Sequence, residues 1–139
     1  MNKILIVEDD LVFARALKNW LEKENFQVEY ATNAARARRM LSDNEDADLI
    51  LSDMRLPDGD GVEILEWLNK RDSRIPFVVM TQYAEVQSAV KAMKLGAVDY
   101  LPKPFMPEML YTVINGLLHR KKKVPPETFI FKRMNAKIQ

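Results

Sequence analysis

The chain has 139 residues, 47% of them hydrophobic, a net charge of +1 and no cysteine. That is the size and apolar content of one ordinary domain, and it excludes a disulfide scaffold, so a reducing interior is the expected setting. The longest apolar runs are strand-sized and none follows Met1, so neither a membrane span nor a signal peptide is predicted, and the expected location is the cytoplasm.

In chain order, the first apolar run, residues 3–7, reads as a strand that stops abruptly at Glu8-Asp9-Asp10. Ala14, Leu17 and Leu21 mark the first helix, residues 27–31 the second strand, and Ala34, Ala37 and Leu41 a weaker second helix. That helix also carries Arg36, Arg38 and Arg39, a charge run read as a solvated face. A third strand at 48–52 breaks at Asp53 into the loop Met54-Arg55-Leu56-Pro57-Asp58-Gly59, and Val62, Leu65 and Leu68 mark the third helix. The fourth strand, 76–80, ends at Thr81. Val86, Ala89, Val90 and Met93 then form an apolar stripe, with Gly96 placed to cap its helix. A fifth strand at 98–101 runs into Pro102-Lys103-Pro104, and Leu110, Val113, Ile114, Leu117 and Leu118 fall on one face of a last helix. His119 sits at that helix end, where it suits the dipole and has no catalytic part to play.

Beyond it, residues 120–139 hold seven basic residues against Glu127 alone, while the rest of the chain holds fourteen basic and nineteen acidic ones. An acidic body with a basic tail suits a linker or interaction segment. The Lys121 to Pro126 stretch, a basic run meeting two prolines, is the expected domain boundary.

Five strands alternating with five helices predict right-handed βαβ units, a parallel sheet covered on both faces, and a doubly wound α/β fold. With strand order 2-1-3-4-5, the ends at Glu8-Asp9, Asp53, Thr81 and Lys103 converge on the C-terminal edge, at the switch between the first and third strands. Clustered carboxylates there repel one another unless a cation intervenes, and Mg2+, which takes oxygen ligands, suits them. A carboxylate can itself attack phosphorus to give an aspartyl phosphate, with Lys103 and the Thr81 hydroxyl holding the phosphoryl oxygens. The plainer readings are that Asp9 or Asp10 caps the first helix, that Asp53 is a turn residue, that Thr81 is a strand-end hydroxyl without a function, that Lys103 is a solvated surface lysine, and that Tyr100 only packs. Capping alone leaves Glu8 unexplained.

Four stretches in order, Ile-Val-Glu-Asp-Asp (6–10), Ser-Asp-Met-Arg-Leu-Pro-Asp-Gly-Asp-Gly (52–61), Met-Thr (80–81) and Gly-Ala-Val-Asp-Tyr-Leu-Pro-Lys-Pro-Phe (96–105), resemble the receiver domain of two-component response regulators. The likeness covers residues 1 to 120 and implies a flavodoxin-like (βα)5 fold, with residues 121–139 a basic linker or tail. It implies that Asp53 accepts a phosphoryl group from a sensor histidine kinase. It further implies that Glu8, Asp9, Asp53 and the backbone carbonyl of Arg55 hold Mg2+, that Thr81 and Lys103 bind the phosphoryl group, and that Tyr100 turns with Thr81 as a switch. A cis bond at Lys103-Pro104 is part of the same likeness. Residues 89–101 look most like the nitrogen-regulation (NtrC-like) class, whose members usually carry an ATPase and a DNA-binding domain. An output domain regulating transcription is therefore an expected partner, with DNA reached only through it, and signal leaving through the fourth helix, fifth strand and fifth helix. A weak homodimer is also expected, and no membrane contact. The alternative is a stand-alone receiver acting by protein contact or phosphorelay.

One position departs from the family: Gln82 stands where receivers usually have a small residue and is expected to narrow the approach to Asp53, while Arg55 and Tyr83, flanking the same opening, are expected to tune the hydrolytic water. A haloacid-dehalogenase-like phosphatase would need a second aspartate at position 55, which is arginine. A phosphate-free interaction module would lack part of the acidic pocket or the lysine. Phosphate attraction could draw nucleic acid to the basic tail, but the tail is short and the body acidic.

Overall fold

The computed structural model describes residues 2–44, 47–82 and 86–118. His119, the Lys121 to Pro126 boundary, the basic tail and Tyr83 lie outside them. The strands of the main sheet are β1 (Lys3–Val7), β2 (Gln27–Ala31), β3 (Leu49–Asp53), β6 (Phe77–Thr81) and β7 (Asp99–Pro102). They are parallel and ordered β2-β1-β3-β6-β7, which is the expected 2-1-3-4-5 order once a small hairpin is set aside. The helices are α1 (Leu11–Lys23), α2 (Ala34–Asn44), α3 (Gly61–Lys70), α4 (Val86–Lys94) and α5 (Pro107–Leu118).

Every residue of β3 and β6 is buried, as parallel strands covered on both faces require. Alternate side chains feed two cores. Leu5, Val7, Ile50 and Val79 meet α2, α3 and α4 on one face, and Ile4, Ile6, Leu51 and Val78 meet α1 and α5 on the other. Truncating one of these, Ile50 or Leu51 for example, to alanine removes buried methyl groups and leaves a cavity worth about 2–5 kcal/mol.

Three expectations need correction. The third, fourth and fifth strands each lie one residue further along than the apolar runs suggested, so Asp53 and Thr81 are the last residues of their strands. The register carries them there, pairing Asp53 with Met80 and Thr81 with Pro102. The loop after Asp53 is not plain either: Arg55–Leu56 (β4) and Gly59–Asp60 (β5) form a two-stranded antiparallel hairpin closed by Pro57-Asp58. On α4 the stripe is rotated, since Ala89 and Ala92 are buried while Val86 and Val90 are 55% and 48% exposed. The alanine face of this short helix turns toward the core and the valine face toward solvent. Gly96 does follow α4 with φ +114, a left-handed turn in which Ala97 N–H bonds the Ala92 carbonyl at 3.0 Å.

Candidate functional site

Each site residue stands at a strand end for a local reason. Glu8 continues β1, its N–H bonded to the Ala31 carbonyl at 3.0 Å. Asp10 caps α1, accepting from Val12 N–H at 3.0 Å and Phe13 N–H at 3.2 Å. With capping done by Asp10, the exposed Asp9 carboxylate is left to the site. Asp53 Oδ1 accepts the Met54 N–H at 2.8 Å. The ladder runs on past β6 and β7, with Lys103 N–H on the Thr81 carbonyl at 2.7 Å, and the Lys103–Pro104 bond is cis.

These ends converge. One carboxylate oxygen from each of Glu8, Asp9 and Asp53 lies within 4.8 Å of the others. The Lys103 ammonium bonds Glu8 Oε1 and stands 3.2 Å from Asp53 Oδ2. A cleft of about 280 Å3 opens beside them, lined by Asp9, Asp53, Arg55, Leu56, Pro57 and Gln82, so Arg55 and Gln82 do border the approach to Asp53. Thr81 is buried at the same edge, and its hydroxyl donates to the Gln82 carbonyl at 3.1 Å. Tyr100, opposite Val79 in the register, shares with Thr81 the sheet face that α4 covers, and it is half-buried there.

The electrostatics follow from this crowding. Glu8 is fully buried. Burial first, and the Asp53 carboxylate second, push its pKa up to about 7 against the opposing pull of Lys103. Burial works against the charge of Lys103, but its bond to Glu8 and the field of Asp53 outweigh that and hold its pKa above the ordinary lysine value. Among the described residues Glu8 Oε2 is a buried oxygen that finds no hydrogen-bond partner. Three convergent carboxylates, one of them offering an unsatisfied oxygen, are the donor set a hard dication takes.

A raised carboxylate pKa has a definite sign in stability. Between pH 4.5 and about 7 the folded chain keeps a proton on Glu8 that the unfolded chain has lost, so stability present below pH 4.5 is lost as pH rises through this window, by about 3 kcal/mol. Urea midpoints without metal should therefore fall from pH 5 to pH 7.5, and Glu8→Gln should flatten the slope. Added Mg2+ should stabilise the wild type more at pH 7.5 than at pH 5, because there it no longer competes with the proton. An equal slope in Glu8→Gln would place the titration elsewhere.

Four contributors escaped the sequence reading. The Phe13 ring centroid lies 4.8 Å from the Lys103 ammonium, and Phe13 meets Phe105 edge to face at 5.6 Å, so an aromatic pair holds the lysine in place. Phe105 stood inside a motif already noted, whereas Phe13 gave no signal. Asp58, at the hairpin tip, accepts from Ala34 N–H at 2.8 Å and Ala35 N–H at 2.9 Å. These two bonds hold its carboxyl below the usual range and tie the loop after Asp53 to the start of α2. Gly61 backs Asp53, for a Cβ there would sit 2.3 Å from the Asp53 carbonyl oxygen and 3.0 Å from Ser52 Oγ. Gly61→Ala must therefore shift the β3 end, and we expect a loss of about 1–3 kcal/mol by urea denaturation. Unchanged stability would mean that the strand end yields freely.

The family described as response regulator receiver domain matches residues 4–115, and the chain belongs to it. The regulatory protein AtoC of Escherichia coli (strain K12) is 35% identical over 118 residues, covering 85% of this chain and 25% of AtoC. The photosynthetic apparatus regulatory protein RegA of Rhodobacter capsulatus is 35% identical over 123 residues, covering 88% of this chain and 65% of RegA. The chain thus spans between a quarter and two thirds of the length of these relatives. Among solved structures, a response regulator receiver domain protein from Clostridium thermocellum superposes with TM-score 0.82 at 29% identity, over 87% of this chain and 97% of that one. The non-phosphorylated HemR receiver domain from Leptospira biflexa gives 0.80 at 31% identity, over 89% and 99%. Among the described residues no helix is long and apolar enough to cross a membrane.

Proposed function

We propose that this receiver is a phosphorylation switch in which Asp53 takes a phosphoryl group from a phosphohistidine of a sensor kinase. The observation that carries the reading is the Lys103 ammonium set between the Glu8 and Asp53 carboxylates at the mouth of an open cleft. An Asp53 oxygen attacks phosphorus as the bond to the histidine nitrogen breaks, and the imidazole leaves. Glu8, Asp9, Asp53 and the Arg55 carbonyl would hold Mg2+, which when bound neutralises charge on the transferring group. Lys103 supplies a fixed positive charge to the phosphoryl oxygens, and the Thr81 hydroxyl, which donates to the Gln82 carbonyl at 3.1 Å, turns toward them once the group is in place. Tyr100 follows on the same face, so the added charge of about −1.5 to −2 biases a two-state element comprising α4, β7 and α5. Val86 and Val90, exposed on α4, supply apolar surface for a contact there.

In this reading residues 1–120 are the receiver and 121–139 a linker to an output domain that regulates transcription, in the NtrC-like manner that residues 89–101 resemble. The names of two further relatives support such an output: transcriptional regulatory protein SrrA of Staphylococcus aureus and probable transcriptional regulator ycf29 of Porphyra purpurea. The receiver works in the cytoplasm, away from membranes. It forms a weak homodimer whose equilibrium phosphorylation shifts, and DNA is reached only through the output domain. The site would serve a stand-alone receiver equally well.

Acetyl phosphate with Mg2+ should add one phosphoryl group, and peptide mapping by mass spectrometry should place it on Asp53. An adduct elsewhere, or none, would overturn the assignment. Gln82→Ala should widen the cleft and speed phosphorylation, dephosphorylation or both by a few-fold. Rates equal to wild type would show that this side chain does not control access.

A further inference from the structure

The charge run on α2 divides in the folded chain. Arg38 lends its positive field to Asp58. Arg36 and Arg39 are exposed and line a separate cleft of about 440 Å3 that crosses the edge of the sheet, reaching Val28 and Tyr30 of β2 and Lys18 of α1. Among the described residues none of these three cations forms an ion pair, and Lys18 lies 5.9 Å from the centroid of the Tyr30 ring. Glu29, also at the cleft, is taken by Lys3 at 3.3 Å, so three cations there outweigh Asp43.

The cleft also holds unused backbone. Among the described residues β2 is one of the two outer strands of the sheet. Gln27 donates its N–H to the Asn2 carbonyl at 2.9 Å, and the Ala31 carbonyl accepts the Glu8 N–H at 3.0 Å, so the odd-numbered residues face β1. By the alternation of a parallel ladder, Val28 and Tyr30 turn their N–H and C=O groups outward, into the cleft. A row of backbone donors and acceptors flanked by cations matches an extended peptide with acidic side chains. Duplex nucleic acid offers phosphates but no matching ladder, and the body of this chain is acidic.

The geometry points to the open edge of β2 as a docking site for an extended acidic segment of a partner protein, added as a sixth strand with its carboxylates toward Arg36 and Arg39 on the α2 face, while Lys18 on the opposite face adds to the positive field. This surface is distinct from the Asp53 cleft and does not depend on phosphoryl chemistry.

The test is an amide NMR titration of the 139-residue chain with a blocked nonapeptide alternating Glu and Val. A Lys-Val nonapeptide and a short duplex DNA serve as the other arms. The Glu-Val peptide should shift Val28, Glu29, Tyr30 and the exposed face of α2, and should slow exchange at the Val28 and Tyr30 amides. The Lys-Val peptide should do neither. Arg36→Glu with Arg39→Glu should weaken binding about tenfold or more, and the milder alanine pair should weaken it less. Both pairs should still take a phosphoryl group from acetyl phosphate as wild type does. Equal shifts with duplex DNA, binding unaltered in both double variants, or no slowing at Val28 and Tyr30 would each overturn the proposal. The last would show that the charges merely guard the edge against added strands.

Discussion

Asp53→Asn should take up no phosphoryl group from acetyl phosphate and Mg2+ under conditions that fully load the wild type. Asparagine keeps the shape of the side chain and an oxygen for the Met54 N–H, which Asp53 now holds at 2.8 Å. It lacks the carboxylate oxygen that must attack phosphorus, so the loss is of chemistry rather than of folding. The same change should also raise stability near pH 7.5. Asp53 is one cause of the high pKa of Glu8, and without its charge Glu8 ionises more easily beside Lys103, recovering roughly 1–2 kcal/mol of the linkage cost. Mass spectrometry reads the first effect and urea denaturation the second. An adduct retained at wild-type level, or a less stable variant, would contradict this account of the site.

Lys103→Met should damage both folding and chemistry. The ammonium neutralises two carboxylates at once, bonded to Glu8 and 3.2 Å from Asp53, with its side chain only 12% exposed. Removing one partner of a buried ionic group typically costs about 3–5 kcal/mol, because the charges left behind remain out of water. Glu8 can escape that cost by keeping its proton, so the loss should be larger at pH 8 than at pH 5.5. Lysine's own raised pKa works the other way at high pH. Its stabilisation is full below pH 10.5 and is lost as pH rises through the higher folded value, so the methionine variant should lack that alkaline decline. Mg2+ should restore part of the stability at pH 8 by replacing the missing positive charge. Phosphoryl uptake should fall by about 10²–10³, the usual loss when one preorganised stabilising group is removed from a transition state. Lys103→Arg, which keeps the charge, should recover most of the stability and less of the rate. Equal stability of the methionine variant at both pH values would show that Lys103 does not balance the carboxylates.

Dimer formation offers a check at the level of the whole molecule. Sedimentation of the phosphorylated and unmodified forms should differ, and Thr81→Ala and Tyr100→Ala should reduce the difference. To reverse a 1:99 population needs about 5.5 kcal/mol, so the expected change is partial. Identical association in all samples would leave α4, β7 and α5 without their proposed role.

Much of this protein was legible in one dimension. Apolar runs and period-3.6 stripes are set by which residues must leave water; the runs located five strands to within a residue, and the stripes marked five helices. Apolar runs ending in Glu8-Asp9, Asp53, Thr81 and Lys103 marked the C-terminal edge of a parallel sheet, because the crossover rule leaves few ways to connect such strands. The placing of strand ends was less secure. Asp53 and Thr81 are polar and read as loop, and only the register against Met80 and Pro102 makes them strand.

Tertiary structure decided what depends on contacts far apart in the chain. Lys103 reaches Glu8 across 95 positions, and Phe13 lies against its ammonium from α1. Gly61 has to be glycine because the Asp53 carbonyl occupies the space of a Cβ, a steric fact with no counterpart in periodicity. On α4 the pattern put Val86 and Val90 in the apolar stripe, but packing buries Ala89 and Ala92 and leaves those valines about half exposed. Asp58 looked like a turn residue and is one, yet its carboxylate also caps a helix 24 positions away. Local sequence set the elements and the kind of chemistry, because hydrophobic period and strand-end carboxylates are local properties. The balance of charge around Asp53 is a property of packed neighbours, and it exists only once the sheet has brought its strand ends together.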